Sequence, residues 1–200
     1  SLDLFSEEFK GRIHQDLHLG QMIYVEGEPV GEFYVADLEG EPLRSDDEKR
    51  EKEPLVRDLA TLHQSFYYLA YTTILNTLYP HPQKENSKRS EASEKEEEIL
   101  RISRMGRRIV KQRNPFINKW VSRHTLVTAY VYAHAIPESM LSYKSAFAKT
   151  HYLYLAPWIA ERALYEIKYE LAYSDKRPGW FIIPLTSLVN PPLPLEKLSA

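Results

Sequence analysis

The chain contains no cysteine in its 200 residues. That excludes a disulfide scaffold, a cysteine-ligated zinc site and a cysteine nucleophile. It also lacks an excess of charge of either sign. The 26 Lys and Arg stand against 28 Asp and Glu, for a formal net charge of -2, which argues against a generally basic nucleic-acid binder. No uninterrupted apolar run approaches the roughly 20 residues that span a bilayer as a helix. The opening segment from Ser1 to Glu8 is acidic, without the basic and apolar regions of a secretory signal. The expectation is a soluble, cytoplasmic chain with no membrane or nucleic-acid partner.

What is present fits one domain or slightly more, at roughly 150 residues per domain. Hydrophobic residues make up 43% and charged residues 27%, as in ordinary globular proteins. Met22-Ile23-Tyr24-Val25 and Phe33-Tyr34-Val35-Ala36 are β-prone runs around a Gly/Pro-containing turn, which predicts a hairpin. Residues 41 to 53 read as a charged loop. From Pro54 the apolar positions Leu55, Leu59, Leu62, Phe66 and Leu69 recur at helical spacing, predicting a helix over 54–79 that Pro80 and Pro82 end. Residues 84–98 form a charged linker that turns helical near Ser90, with Ser93 and Glu96 as a candidate capping box. Further helices are expected over 116–135, over 143–155 and from Pro157 to Tyr173. The proline-rich tail, 176–200, is expected to be extended and helix-free. The fold class is therefore mainly α with a small β-hairpin.

Residues 99–137 contain no acidic residue and eight basic ones, six of them between Arg101 and Arg113. Such a block reads either as a phosphate or nucleic-acid patch or as a solvated helix face paired with the preceding Glu run, and the acidic neighbours favour the second.

The densest chemistry surrounds the hairpin. His14-Gln15-Asp16-Leu17-His18-Leu19-Gly20-Gln21 precedes it, and Asp37-Leu38-Glu39-Gly40-Glu41 follows. A hairpin between them brings Gln21 and Asp37 together at its open end, where two oxygen donors suit Mg²⁺. Asp16, five residues earlier, is free to face a substrate hydroxyl. Phosphoryl transfer uses such a layout: one Asp accepts the hydroxyl proton, while an amide and a second Asp hold the metal. Two other readings of the same residues remain, turn caps and satisfied polar groups, or a zinc site built on His14, Asp16 and His18.

These segments resemble the maltokinases, sugar kinases of the aminoglycoside-phosphotransferase-like branch of the protein-kinase fold, often linked to trehalose synthase. The family's catalytic segment, His-Gly-Asp-Leu-His-Leu-Gly-Gln, is matched by residues 14–21. Its metal segment, Asp-Phe-Glu-Gly-Glu-Pro, is matched by Asp37 to Pro42. Pro54-Leu55-Val56-Arg57-Asp58-Leu59-Ala60 and Ser65-Phe66 match the next element. Glu161-Arg162-Ala163-Leu164-Tyr165-Glu166, Tyr169-Glu170-Leu171, Arg177-Pro178-Gly179-Trp180 and Ile183-Pro184-Leu185 match the last block. The resemblance covers nearly the whole chain. Gln15 stands where the family has Gly, Leu38 where it has Phe, and Arg162 where it has Lys.

The resemblance implies a fold, the C-terminal lobe of the protein-kinase-like fold occupying 1–200. Within it 14–42 carries the catalytic loop and metal hairpin, 54–79 the anchoring helix and 99–175 the helical sugar-site subdomain. It implies ATP as co-substrate, Mg²⁺ as metal, and a sugar acceptor with maltose as first guess. Asp16 would be the catalytic base, His14, His18 and Asp58 would support its loop, and Gln21 and Asp37 would hold Mg²⁺. Arg162, Tyr165 and Tyr169 would contact the sugar; their spacing puts them on one helical face, where the tyrosines could equally pack a core. A kinase of this type places ATP between two lobes. Thirteen residues before His14 cannot form the N-terminal one, so the expected partners are that lobe, in cis or trans, and trehalose synthase.

Overall fold

A computed structural model of the chain describes residues 10–54, 56–78, 80, 90–112, 115–135, 141–173 and 179–190, with side chains described except at 108–112, 115, 130–135 and 141–154. The described residues are mostly helical with two small antiparallel sheets. In the first sheet β1 (Lys10–Gly11) pairs with β4 (Glu53–Pro54). In the second β2 (Met22–Val25) pairs with β3 (Glu32–Val35), Met22 opposite Val35 and Val25 opposite Glu32. This is the predicted hairpin, its second strand shifted one residue toward the N-terminus.

The helices are α1 (Asp46–Arg50), α2 (Val56–Leu78), α3 (Glu91–Gln112), α4 (Pro115–Ala135), α5 (Leu141–Ala172) and α6 (Ile182–Val189). The central helix α2 packs against α4, α5 and α6. The predicted stripe supplies Leu59, Leu62 and Phe66 to the interior, but Leu69 is exposed and Tyr67, Tyr71 and Leu75 continue the buried face. Leu55 lies outside the described residues. One core cluster joins Leu59 and Ala60 to Ala129, Leu155 and Ile159. The larger one joins Tyr67, Tyr71 and Leu75 to Ile102, Met105, Val121 and Ile183. Each fully buried large apolar side chain there contributes about 1.5–3 kcal/mol.

Four expectations need correction. The charged loop over 41–53 contains α1, because Ser45 and Glu48 form a reciprocal capping box that nucleates one short helix. The helix α3 starts ahead of the expected box at Ser93; Ser90 bonds the Ser93 N–H instead, at 3.3 Å. The two helices expected on either side of Pro157 are one 32-residue helix with Pro157 inside it. A proline there removes a ladder bond at about 3 kcal/mol, which the burial of Leu155, Ile159 and Ala163 around it offsets. The tail is not helix-free: α6 forms because Ile182-Ile183-Pro184-Leu185 has an apolar face to bury and its proline falls in the first turn, where the missing N–H is tolerated. Residues 81–89, 174–178 and 191–200, which hold the first part of the linker, Arg177-Pro178 and the last three prolines, lie outside the described residues.

Among the described residues, no helix is long and apolar enough to cross a membrane. In the basic run, Arg101 is buried and donates to Glu98 Oε2 at 2.8 Å and Asn76 Oδ1 at 2.7 Å, while Arg104 and Arg107 are exposed. The remaining basic side chains of 108–113 lie outside the described residues.

Candidate active site

The segment from His14 to Gln21 is fastened to the start of α2. The carboxylate of Asp58 accepts the His14 N–H through Oδ2 and the Gln15 N–H through Oδ1, both at 2.9 Å. Burial pushes the Asp58 carboxyl up, and these two backbone hydrogen bonds work against that shift. Two helical turns further, Ser65 Oγ accepts the Leu19 N–H at 2.9 Å. These contacts need a sharp reversal at Gln15, whose φ is 68°. That is the left-handed conformation glycine adopts freely. Gln15 is instead held by its buried side chain, whose Nε2 donates to the Lys49 carbonyl at 3.1 Å.

His14 Nε2 lies 2.8 Å from the Ala36 carbonyl. A carbonyl only accepts, so Nε2 carries the proton. His18 Nδ1 accepts the Gly20 N–H at 3.0 Å, capping the 3-10 turn Leu19–Gln21 that leads into β2. His14 thus ties the loop to the far strand of the hairpin, and His18 shapes the turn.

At the open end of the hairpin Gln21 Nε2 donates to Asp37 Oδ2 at 2.7 Å, and the Ala36 N–H bonds the Gln21 carbonyl at 2.9 Å. The expected juxtaposition is present. Asp37 has a φ of 59°, a turn conformation that Asp tolerates better than most residues. The pair offers an amide oxygen and a carboxylate, a donor set that fits a hard cation completed by phosphate and water oxygens. Among the described residues, no group of three or more His, Cys, Asp or Glu side chains could cage a metal. The zinc alternative on His14, Asp16 and His18 accordingly finds no three-ligand set.

Asp16, His18, Arg162, Tyr165 and Tyr169 line one cavity of about 300 Å³ between the loop, α2 and α5. Residues 146 positions apart meet there: Arg162 Nη2 donates to Asp16 Oδ1 at 2.8 Å. Arg162 also reaches Glu41 Oε1 at 2.8 Å and Glu166 Oε1 at 2.5 Å. Burial works against its charge, but Glu166, Asp16 and Glu41 outweigh that and hold the guanidinium above its ordinary value. The guanidinium also lies 4.8 Å above the Tyr165 ring. The Tyr165 hydroxyl accepts the Leu43 N–H at 3.3 Å, and burial pushes its acidity to about 12.

Several residues of the site were not assigned from the sequence. Thr61, Ser65 and Tyr68 line the cavity from α2, and Glu166 and Glu170 from α5. Tyr68 donates to Glu170 Oε1 at 2.9 Å. Spacings of i, i+4 and i+7 on α2 form a polar face that was legible beside the apolar stripe. Beneath the cavity, Glu41 also receives Arg57 and Arg44, and Arg57 continues to Glu53 and to Glu161 Oε1 at 3.0 Å. Burial pushes the Glu41 carboxyl up, while Arg162 and Arg44 pull it back. No protein-family model matches the chain.

Proposed function

We propose that the chain is the C-terminal catalytic lobe of an ATP-dependent sugar kinase of the maltokinase type. One observation carries the reading: Asp16 lines a cavity together with Tyr68, Tyr165, Tyr169 and carboxylates, on the loop that leads directly to the Gln21–Asp37 pair. Tyrosine faces with carboxylate and hydroxyl hydrogen-bonding groups suit a sugar ring. Asp16 accepts the proton of a sugar hydroxyl as that oxygen attacks the γ-phosphorus of ATP and ADP leaves. Gln21 and Asp37 would hold Mg²⁺, which would supply positive charge to neutralise phosphate oxygens. His14, His18 and Asp58 fix the loop, and none of them needs to touch the sugar.

The hairpin presents an apolar surface that a second lobe would cover. Ile23, Tyr24, Phe33 and Tyr34 are half or more exposed although they are apolar or aromatic. A nucleotide-carrying lobe, in cis or trans, would cover them, and trehalose synthase is the companion that the resemblance suggests.

Calorimetry of the chain with maltose, with and without Mg-ATP, tests the reading. Maltose binding that responds to Mg-ATP is expected. Binding indifferent to nucleotide would turn the chain into a sugar-binding module, and the absence of binding by maltose and other sugars would sink both. In an assembly with turnover, Asp16→Asn is expected to lower it by about 10²–10⁴-fold, the usual weight of a general base.

A further inference from the structure

Arg162 corresponds to a sugar-contacting position by resemblance, yet both of its Nη groups are held by carboxylates. It is 4% exposed. Its Nη1 serves Glu41, and its Nη2 is shared by Asp16 and Glu166. Its Nε is buried without a hydrogen-bond partner. A sugar hydroxyl bonded to Nη2, the end that faces Asp16, would have to displace a carboxylate from a charge-assisted bond, which is the stronger kind. Resting on the reading of Asp16 as the base, we propose that Arg162 is a positioning residue for Asp16, not a sugar ligand, and that Glu41 aims it.

The geometry divides the work between the two ends of the planar fork. Arg162 takes Oδ1 of Asp16, so Oδ2 is the oxygen that meets the hydroxyl proton. A guanidinium fork holds its partners in one plane at fixed separation, which an ammonium does not. Glu41 is 0% exposed and grips the opposite end of the fork. It is itself gripped by Arg57 from α2 and by Arg44. Glu41 therefore sets the angle of Arg162 from beneath the cavity and carries the position of α2 to Asp16. Its negative charge also keeps Arg162 from acting on Asp16 and Glu166 with its full positive charge. Sugar contact falls to Tyr165, Tyr169 and the other polar groups of the wall.

Nuclear magnetic resonance of the full chain tests this, reading arginine Nη protons, the Asp16 carboxyl carbon and tyrosine rings. Separate, slowly exchanging Nη signals are expected for Arg162, unmoved by maltose while the Tyr165 ring signals shift. Glu41→Gln is expected to average the Nη signals and to shift the Asp16 carboxyl carbon at neutral pH. Arg162→Lys keeps the charge without the fork and should shift that carbon as well; it also serves if the Glu41 variant does not fold. An Asp16 signal indifferent to both substitutions would overturn the proposal and leave Glu41 and Arg162 as scaffold. Nη signals that move with maltose alongside Tyr165 would make Arg162 a sugar ligand. If neither maltose nor any other sugar moves any signal, the kinase reading itself fails, and the positioning role falls with it.

Discussion

The hairpin and the ion cluster beneath the cavity invert the usual placement of residues in opposite directions. Phe33 is 66% exposed and Leu38 79%, whereas Glu41 is 0%, Arg57 3% and Arg162 4%. Only Glu39 and Gly40 separate Leu38 from Glu41. The buried charges are tolerable because carboxylates and guanidiniums alternate, so that each has a partner. The exposed apolar hairpin holds itself by its own ladder and by the bonds of Gln21 and His14 to Ala36. A two-stranded hairpin alone is marginally stable in water. Removing a side chain from the cluster should therefore cost stability, while removing one from the hairpin should cost the isolated chain almost nothing.

The largest effect expected is for Arg162→Met, which leaves Glu41, Asp16 and Glu166 without their shared cation. Urea unfolding should show a loss of about 3–5 kcal/mol; a loss below about 1 kcal/mol would mean that the cluster does not depend on its central charge. Next comes a buried group outside both regions. His63 is fully buried, its Nδ1 lies 2.7 Å from Thr125 Oγ1, and burial lowers its pKa from 6.5 to about 3. It stays neutral when folded but takes up a proton when unfolded, so stability falls as pH drops below about 6.5, by up to about 1.4 kcal/mol per unit. The raised carboxyls of Glu41, Glu53, Glu161 and Asp58 act with the opposite sign. The test is accordingly the difference between the chain and His63→Gln. The variant should lose less stability than the chain between pH 7 and 5, and parallel curves would count against a neutral buried His63.

Gly40, where hairpin and cluster meet, gives a smaller effect. Its φ is 78°, and a Cβ there would lie 2.8 Å from Gln15 Oε1. Gly40→Ala should cost about 1–2 kcal/mol, as a left-handed alanine does, and should loosen hydrogen exchange at residues 14–16. The smallest is Phe33→Ser on the hairpin, expected within about 0.5 kcal/mol of the parent in urea. A loss of about 2 kcal/mol would show that Phe33 is packed in solution and would break the contrast.

Much of this layout was legible in the sequence wherever the signal was local. The hairpin followed from two β-prone runs and a turn, and α2 from a stripe at helical spacing. The meeting of Gln21 and Asp37 followed from the hairpin alone. The ion cluster was not legible, because Glu41, Arg44, Glu53 and Arg57 look like any solvated charged stretch until α5 brings up Glu161 and Arg162, 121 residues beyond Glu41 in the case of Arg162. Proline misled twice. Read by itself it starts or stops helices, but burial on both sides of Pro157 outweighs the single bond it removes, and in α6 the proline sits in the first turn, where its missing N–H is tolerated. Gln15 hid a different feature: nothing in a glutamine announces a left-handed backbone, and the Asp58 carboxylate that imposes it lies 43 residues away.

The bond from the Leu43 amide to the Tyr165 hydroxyl has a directional consequence. An amide N–H can only give, so the phenol oxygen receives there and its own proton must be aimed elsewhere. With the phenol's acidity pushed to about 12, that proton stays in place at any ordinary pH. The ring therefore asks its neighbour for a lone pair. An acceptor with an oxygen at that spot satisfies it, whether as hydroxyl, ether or carbonyl, whereas a deoxy analogue leaves the proton unanswered. Discrimination at this position would thus count oxygens without distinguishing their kinds.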